Sequence, residues 1–224
     1  MRWDKLSIGR YRMFHNIRKP VHISLKRQFV NTFFLLLFGI GMGVFSKFLD
    51  CTPSNELPYF MEIIDLSNFF GRIAIWYFLA VVIAVYSKTP LRAAVNVFLF
   101  FVGMLAGYYA YTRIFAGFYP DRAYFMLWAG LTVISPVLAF ICWYARGRGK
   151  IAVVISSVII AVLFLQAFYF SLTYFNMSSP LEVLVWIAGI AVLYKSPKRL
   201  AAVIVMSIVI AVVFRMISPF GFLI

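Results

Sequence analysis

Apolar residues run along this chain in long unbroken blocks, not in the alternation of a half-buried strand. The blocks lie at roughly 29–48, 69–87, 92–113, 122–144, 151–172, 181–194 and 200–217. A helix needs about 20 apolar residues to cross a hydrocarbon core of about 30 Å. Six blocks come close to that length. The sixth in order, 181–194, has only fourteen residues and reaches about 21 Å. It borrows from its flanks, sits where the bilayer is thinned, or re-enters without crossing. Strands of a membrane β-barrel alternate apolar and polar positions, so a barrel is excluded. The pattern predicts an all-α polytopic membrane helical bundle with seven transmembrane helices.

Composition supports lipid as the solvent. The chain is 64% hydrophobic and 12% charged, with a mean hydropathy of +0.94. Soluble domains carry about 25% charged residues, and a globule of 224 residues with so few could not cover itself. The net charge of +14 would point to nucleic acid in a soluble protein. Here the position of the charges gives another reading. The tail before the first block holds Arg2, Lys5, Arg10, Arg12, Arg18, Lys19, Lys26 and Arg27. Alternate turns carry Lys88 and Arg92, then Arg146, Arg148 and Lys150, then Lys195, Lys198 and Arg199. Every acid except Asp4 falls in the intervening loops. Short loops rich in Lys and Arg stay cytoplasmic, so the N-terminus is expected inside and the C-terminus outside. Residues 1–27 read as a basic tail and 28–224 as the bundle. The first block reads as an anchor, since no small-residue cleavage site follows it.

Two turns share nearly one phrase: "YSKTPLRAAV" from Tyr86 and "YKSPKRLAAV" from Tyr194. In each, Thr89 or Ser196 is placed to cap a helix and Pro90 or Pro197 to open it. A third basic turn, "ARGRGKIAVV", matches them in charge. Trp76, Trp128 and Trp186 each precede one of the three turns. The predicted plan is one leading helix followed by three out–in–out hairpins. Parallel repeats of this kind occur in some transporters.

Gly41-x-Gly43 with Lys47 and Asp50, "SNFFGR" at the entry to the second block, and "GMLAGYY" at Gly103–Tyr109 resemble a family of small multi-pass bacterial membrane proteins of unknown function. The resemblance covers the first five blocks. It implies a helical bundle in a bacterial cytoplasmic membrane and carries no activity.

Ionisable residues inside a membrane are functional candidates. Lys47, Asp50, Glu62, Asp65, Arg72 and Arg113 gather near the outer helix ends, together with Asp121, Arg122 and Arg215. They form either a two-signed vestibule or a set of interfacial residues fixing helix ends. "LPYFMEIIDLSNFF" reads as an amphipathic helix lying on the outer interface through Leu57, Phe60, Ile64 and Phe69. An Arg72–Glu62 pair is the expected test of the vestibule. "SPLE" at Ser179–Glu182 reads as a capping box, with the glutamate reaching back to the helix start.

Deeper in the bundle, Asn96 and Gln166 are the strongest uncharged polar groups, suited to interhelical hydrogen bonds. Ser135-Pro136 should free a backbone carbonyl and kink its helix. Gly39, Gly41 and Gly43, and Gly103-x-x-x-Gly107, mark faces for close helix packing. The only histidines, His15 and His22, lie in the tail, and no metal-ligand spacing, GxSxG, HExxH or P-loop appears. No cofactor and no catalytic reaction are expected. In the tail, Trp3, Leu6, Phe14 and Ile17 share a helical face among basic residues, a pattern that lies on anionic lipid. The expected role is a small transporter or permease component for a small solute. The alternative is a non-transporting membrane partner, an assembly or immunity subunit or homo-oligomer acting through helix contacts.

Overall fold

The structure is a computed structural model and describes residues 17–21, 23–117, 122–171 and 173–217. Trp3, Leu6, Phe14, His15, His22 and Asp121 lie outside these residues. The elements in order are α1 (Leu25–Cys51), α2 (Tyr59–Ile63), α3 (Leu66–Gly71), α4 (Ile73–Tyr86), α5 (Pro90–Tyr111) and α6 (Arg122–Trp143). They continue with α7 (Gly149–Ala167), β1 (Phe168–Phe170), β2 (Phe175–Met177), α8 (Pro180–Leu193) and α9 (Pro197–Ile217). Five of the helices, α1, α5, α6, α7 and α9, are long and apolar enough to cross a membrane. The other two apolar helices, α4 and α8, have 14 residues each.

Two elements depart from the sequence pattern. The block at 151–172 leaves the helix after Ala167 and turns through an antiparallel ribbon, with Phe168 opposite Met177 and Phe170 opposite Phe175. The fold is therefore helical with one small β-ribbon. "FYFSLTYF" packs there by ring contact, Phe168 stacking on Phe175 at 5.2 Å. The block at 69–87 is interrupted at Arg72, which is extended (φ −93°, ψ 161°) between α3 and α4. Trp76 steadies the break by donating its indole N–H to the Phe70 carbonyl at 2.9 Å. The segment expected as one interfacial helix is likewise split. Asp65 takes a left-handed conformation (φ 54°) between α2 and α3, one that Asp tolerates better than most residues. Tyr59, Phe60 and Ile63 remain exposed beside that split, while Leu57 and Phe69 are buried.

Packing follows small residues, not chain order. The closest pair is α1 with α5, which run parallel. A Cβ added at Gly39 or Gly43 would collide with the α5 backbone at Phe100 and Met104. One added at Gly103 or Gly107 would collide with the α1 backbone at Leu36 and Ile40. The two glycine pairs expected as packing faces are thus each other's partners. Gly41, between them in sequence, meets nothing. A second parallel pair, α7 with α9, runs from Ala152 and Ser156 beside Arg199 to Ala161 beside Ala211.

Of the expected hairpins, α4 packs on its own partner α5, whereas α6 and α7, and α8 and α9, make little contact. α8 leans on α7 and α4 and barely touches α9, and α6 lies mainly on α5 and α4. Glycine and serine faces allow backbones to approach, and those faces sit on α1 and α5 and on α7 and α9, helices that no single turn joins. One hydrophobic cluster gathers Trp76, Val97, Phe100, Met104, Trp128 and Trp143. A second gathers Val81, Val85, Ile160, Leu163, Val185 and Leu193. The outward faces stay apolar: Phe29, Phe33 and Phe34 on α1, and Val133, Ile134 and Val137 on α6, are exposed. An apolar surface this extensive belongs in lipid.

Candidate functional site

The molecule has a basic end, formed by the three turns before α5, α7 and α9, and a far end. At the far end the two 14-residue helices begin side by side. Arg72 is the N-cap residue of α4, and Glu182 lies in the first turn of α8. The Arg72 guanidinium donates to the Glu182 carboxylate at 3.2 Å. Glu182 is 1% exposed, whereas the Arg72 side chain is 37% exposed. A buried carboxylate needs a countercharge, and a cation at a helix N-terminus is otherwise disfavoured. Each residue resolves the other's problem.

This corrects two readings. Arg72 pairs with Glu182 and not with Glu62, which is exposed in the first turn of α2. Ser179 makes no side-chain cap bond, so "SPLE" is no capping box. A carboxylate this buried finds more in a guanidinium than in a backbone N–H.

Among the described residues, Lys47, Asp50 and Asp65 make contacts separate from the Arg72–Glu182 pair. Lys47, buried on α1, donates to Asp50 at 2.6 Å and to the Tyr108 hydroxyl at 3.3 Å. The Tyr108 hydroxyl in turn donates to Asp50 at 3.1 Å. This triad ties α1 to α5. Asp65 accepts from Asn68 at 2.8 Å on the surface, and Arg113 is exposed in the short π-helical stretch Thr112–Ala116. Arg215 donates to the Phe170 carbonyl at 3.4 Å, holding the β-ribbon.

Of the deeper candidates, Asn96 is structural. It accepts from Thr32 at 2.7 Å and donates to Ser87 at 3.1 Å. Arg92 completes the chain, reaching Thr32 Oγ1 at 2.5 Å and the Gln28 carbonyl at 2.7 Å. Ser135-Pro136 is self-contained. Proline has no N–H for the Thr132 carbonyl, and the Ser135 hydroxyl supplies the missing bond at 2.8 Å. The helix runs through Pro136 without interruption, and the Thr132 carbonyl is not left over for a ligand. Gln166 is buried near the far end of α7, beside an apolar cavity of about 340 Å³ shared with Ile210 and Phe214.

Sequence reasoning missed the basic end as a site. Arg18 donates to the last carbonyls of two helices, Val85 at 2.9 Å and Trp143 at 2.5 Å, with its guanidinium over the Trp143 ring at 4.3 Å. Arg199 reaches Ala145 at 2.5 Å, Gly147 at 2.7 Å and Ser156 at 3.3 Å, and Lys195 reaches Gly147 at 2.8 Å. Apart from the Ser156 hydroxyl, these are carbonyls that helix and 3₁₀ ends leave unsatisfied, at the negative pole of the dipole. Desolvation, and then the nearby charge of Arg146, pull the Arg18 pKa down to about 10. Lys195 is also lowered, first by desolvation and then by Arg199, Arg148, Arg146 and Arg18. Ile17 packs into the bundle beside them, and the backbone N–H groups of Arg148 and Val21 bond the Ile17 and Lys88 carbonyls.

A bundle with five apolar helices of membrane-crossing length, an apolar exterior and ion pairs held at one end has the make-up of a helical membrane protein. The chain belongs to a family of unknown function, DUF6518, which matches residues 65–220. The matched stretch begins beyond α1, so the Gly41–Asp50 part of the resemblance lies outside it. No curated protein and no solved structure matches the chain.

Proposed function

We propose that the chain crosses the cytoplasmic membrane of a bacterium seven times, N-terminus inside and C-terminus outside, and passes a small solute along the seam between α4 and α8. The observation that carries this reading is the pairing of the two short helices. Fourteen residues span about 21 Å, against about 30 Å for the hydrocarbon core. Side by side, they make the thinnest barrier in the molecule. Paired short helices of this kind commonly mark transporter binding sites. The Arg72–Glu182 pair then acts as an outer latch, since the seam cannot part without breaking it. The Lys and Arg of the basic end supply the cytoplasmic signal.

Reconstituted vesicles carrying the full chain test the passage directly. Osmotic swelling in a panel of small polyols, amino acids and salts is expected to exceed that of empty vesicles for at least one solute class. Arg72→Ala is expected to change that rate. Wild type and variant both matching empty vesicles across the panel overturns the transport reading. Reporters inserted after Lys150 and within 171–179 test orientation, and are expected to register opposite compartments.

A second reading, a non-transporting partner, is favoured by one observation. Val81, Val85, Ile160, Leu163 and Val185 pack the seam region closely, as in a rigid scaffold. Its contacts would have to use exposed faces such as that of α6, because both glycine faces are occupied within the chain.

A further inference from the structure

At the basic end, α1 and α4 both flank α5, but α1 does not pack along α4. The gap between them is a cavity of about 480 Å³. Its lining changes character within one helical turn. On α1, Gln28 and Asn31 give way to Phe34 and Leu35; at the end of α4, Lys88 and Ser87 give way to Ile83 and Val82. Arg92 and Asn96 form the back wall from α5, held by Thr32, Ser87 and Gln28. Phe34 and Tyr86 on the rim are more than half exposed, so the cavity opens sideways toward whatever surrounds the bundle. The described acids are Asp50, Glu56, Glu62, Asp65 and Glu182, all in or beside the far-end loops, so none shares this turn with Lys88 and Arg92.

We infer that this cavity is a binding site for one anionic phospholipid, with the phosphate between Lys88 and Arg92 and the upper acyl chain against Phe34, Leu35 and Ile83. A free phosphate would satisfy the cations but leave the apolar half empty. A zwitterionic lipid would fill the apolar half but bring a cation toward two others. Basic pockets between transmembrane helices at the cytoplasmic side are a recurrent setting for anionic headgroups. The site lies on the opposite end of α4 from Arg72, so it stands independently of the transport reading.

Native mass spectrometry of the full chain in detergent tests the site, with phosphatidylglycerol, phosphatidylcholine of the same acyl chains, and inorganic phosphate as probes. Phosphatidylglycerol is expected to be retained at one copy per chain, about tenfold more tightly than phosphatidylcholine. Lys88→Glu is expected to remove that preference. Lys198→Glu makes the same charge change on an exposed first-turn residue of α9 outside the cavity, and is expected to leave it within about twofold. Leu35→Trp fills the apolar half with every charge intact and is also expected to weaken retention. Equal loss in the two lysine variants overturns the site in favour of diffuse attraction. So does displacement of the lipid by millimolar inorganic phosphate, which would mark a site for free anions, and so does a Leu35→Trp variant that binds as wild type.

Discussion

Arg72 and Glu182 should respond unequally to removal, and the inequality follows from their burial. In Arg72→Ala the Glu182 carboxyl, 1% exposed, is left buried without its partner. Breaking a buried pair from one side costs about 3–5 kcal/mol. The Arg72 side chain is 37% exposed, so water already screens part of the attraction, and a loss of about 2–3 kcal/mol is expected. In Glu182→Gln the shape is kept and Arg72 is left with access to solvent, so the expected loss is only about 1 kcal/mol. The double variant removes the stranded carboxyl. It should be more stable than Arg72→Ala alone, giving a coupling energy of about 1–2 kcal/mol. Reversible unfolding in mixed detergent micelles, followed by far-UV circular dichroism, measures all four proteins. Additive losses, or Glu182→Gln more damaging than Arg72→Ala, would refute the assignment of the pair as a buried, mutually dependent contact.

Three further outcomes use the same unfolding assay. Gly39→Ala and Gly103→Ala each drive a methyl group into the facing backbone and should cost about 1–3 kcal/mol, whereas Gly41→Ala, with open space around it, should stabilise by up to about 1 kcal/mol. Equal effects at Gly39 and Gly41 would dissolve the α1–α5 interface. Ser135→Ala should cost about 1 kcal/mol by stranding the Thr132 carbonyl, and almost nothing when Pro136 is first changed to Ala, because the backbone N–H returns. Arg199→Lys keeps the cationic signal but loses the fork that reaches Ala145, Gly147 and Ser156, and should cost about 1–2 kcal/mol, with Lys198→Ala within about 0.5 kcal/mol of wild type.

Helix positions were legible because lipid imposes one demand, a long apolar run, and the chain satisfies it openly. Glycine spacing also carried its message, since only Gly admits a backbone as close as Phe100 lies to Gly39. The far-end pairing was not legible. Glu62 and Glu182 both lie within reach of Arg72 on any linear reading, and only the packing of α8 against α4 decides between them. The break at Arg72 was hidden as well. In the apolar run Phe69–Tyr86 the charge at Arg72 reads as a side chain snorkelling near a helix end, and only the extended backbone of Arg72 shows that the helix stops there.

The repeated phrase shows where local pattern stops being a guide to fold. Thr89 caps its helix by accepting from the Arg92 N–H at 3.1 Å, and Ser196 does the same for Arg199 at 3.4 Å. Both arginines sit three residues past the cap, and both guanidiniums leave their own helix for a neighbour's carbonyls and one buried hydroxyl, Thr32 or Ser156. So far the two turns are physical copies. Their surroundings are not: α4 leans on the helix after it, and α8 on the helix before it. A turn's sequence specifies its cap, its proline and the reach of one arginine. It does not specify which helix the arginine finds, because that depends on small residues placed elsewhere, on α1 for one turn and on α7 for the other. The same phrase therefore closes α1 onto α5 and α7 onto α9, two parallel pairs assembled by one local device, without making the halves of the molecule symmetric.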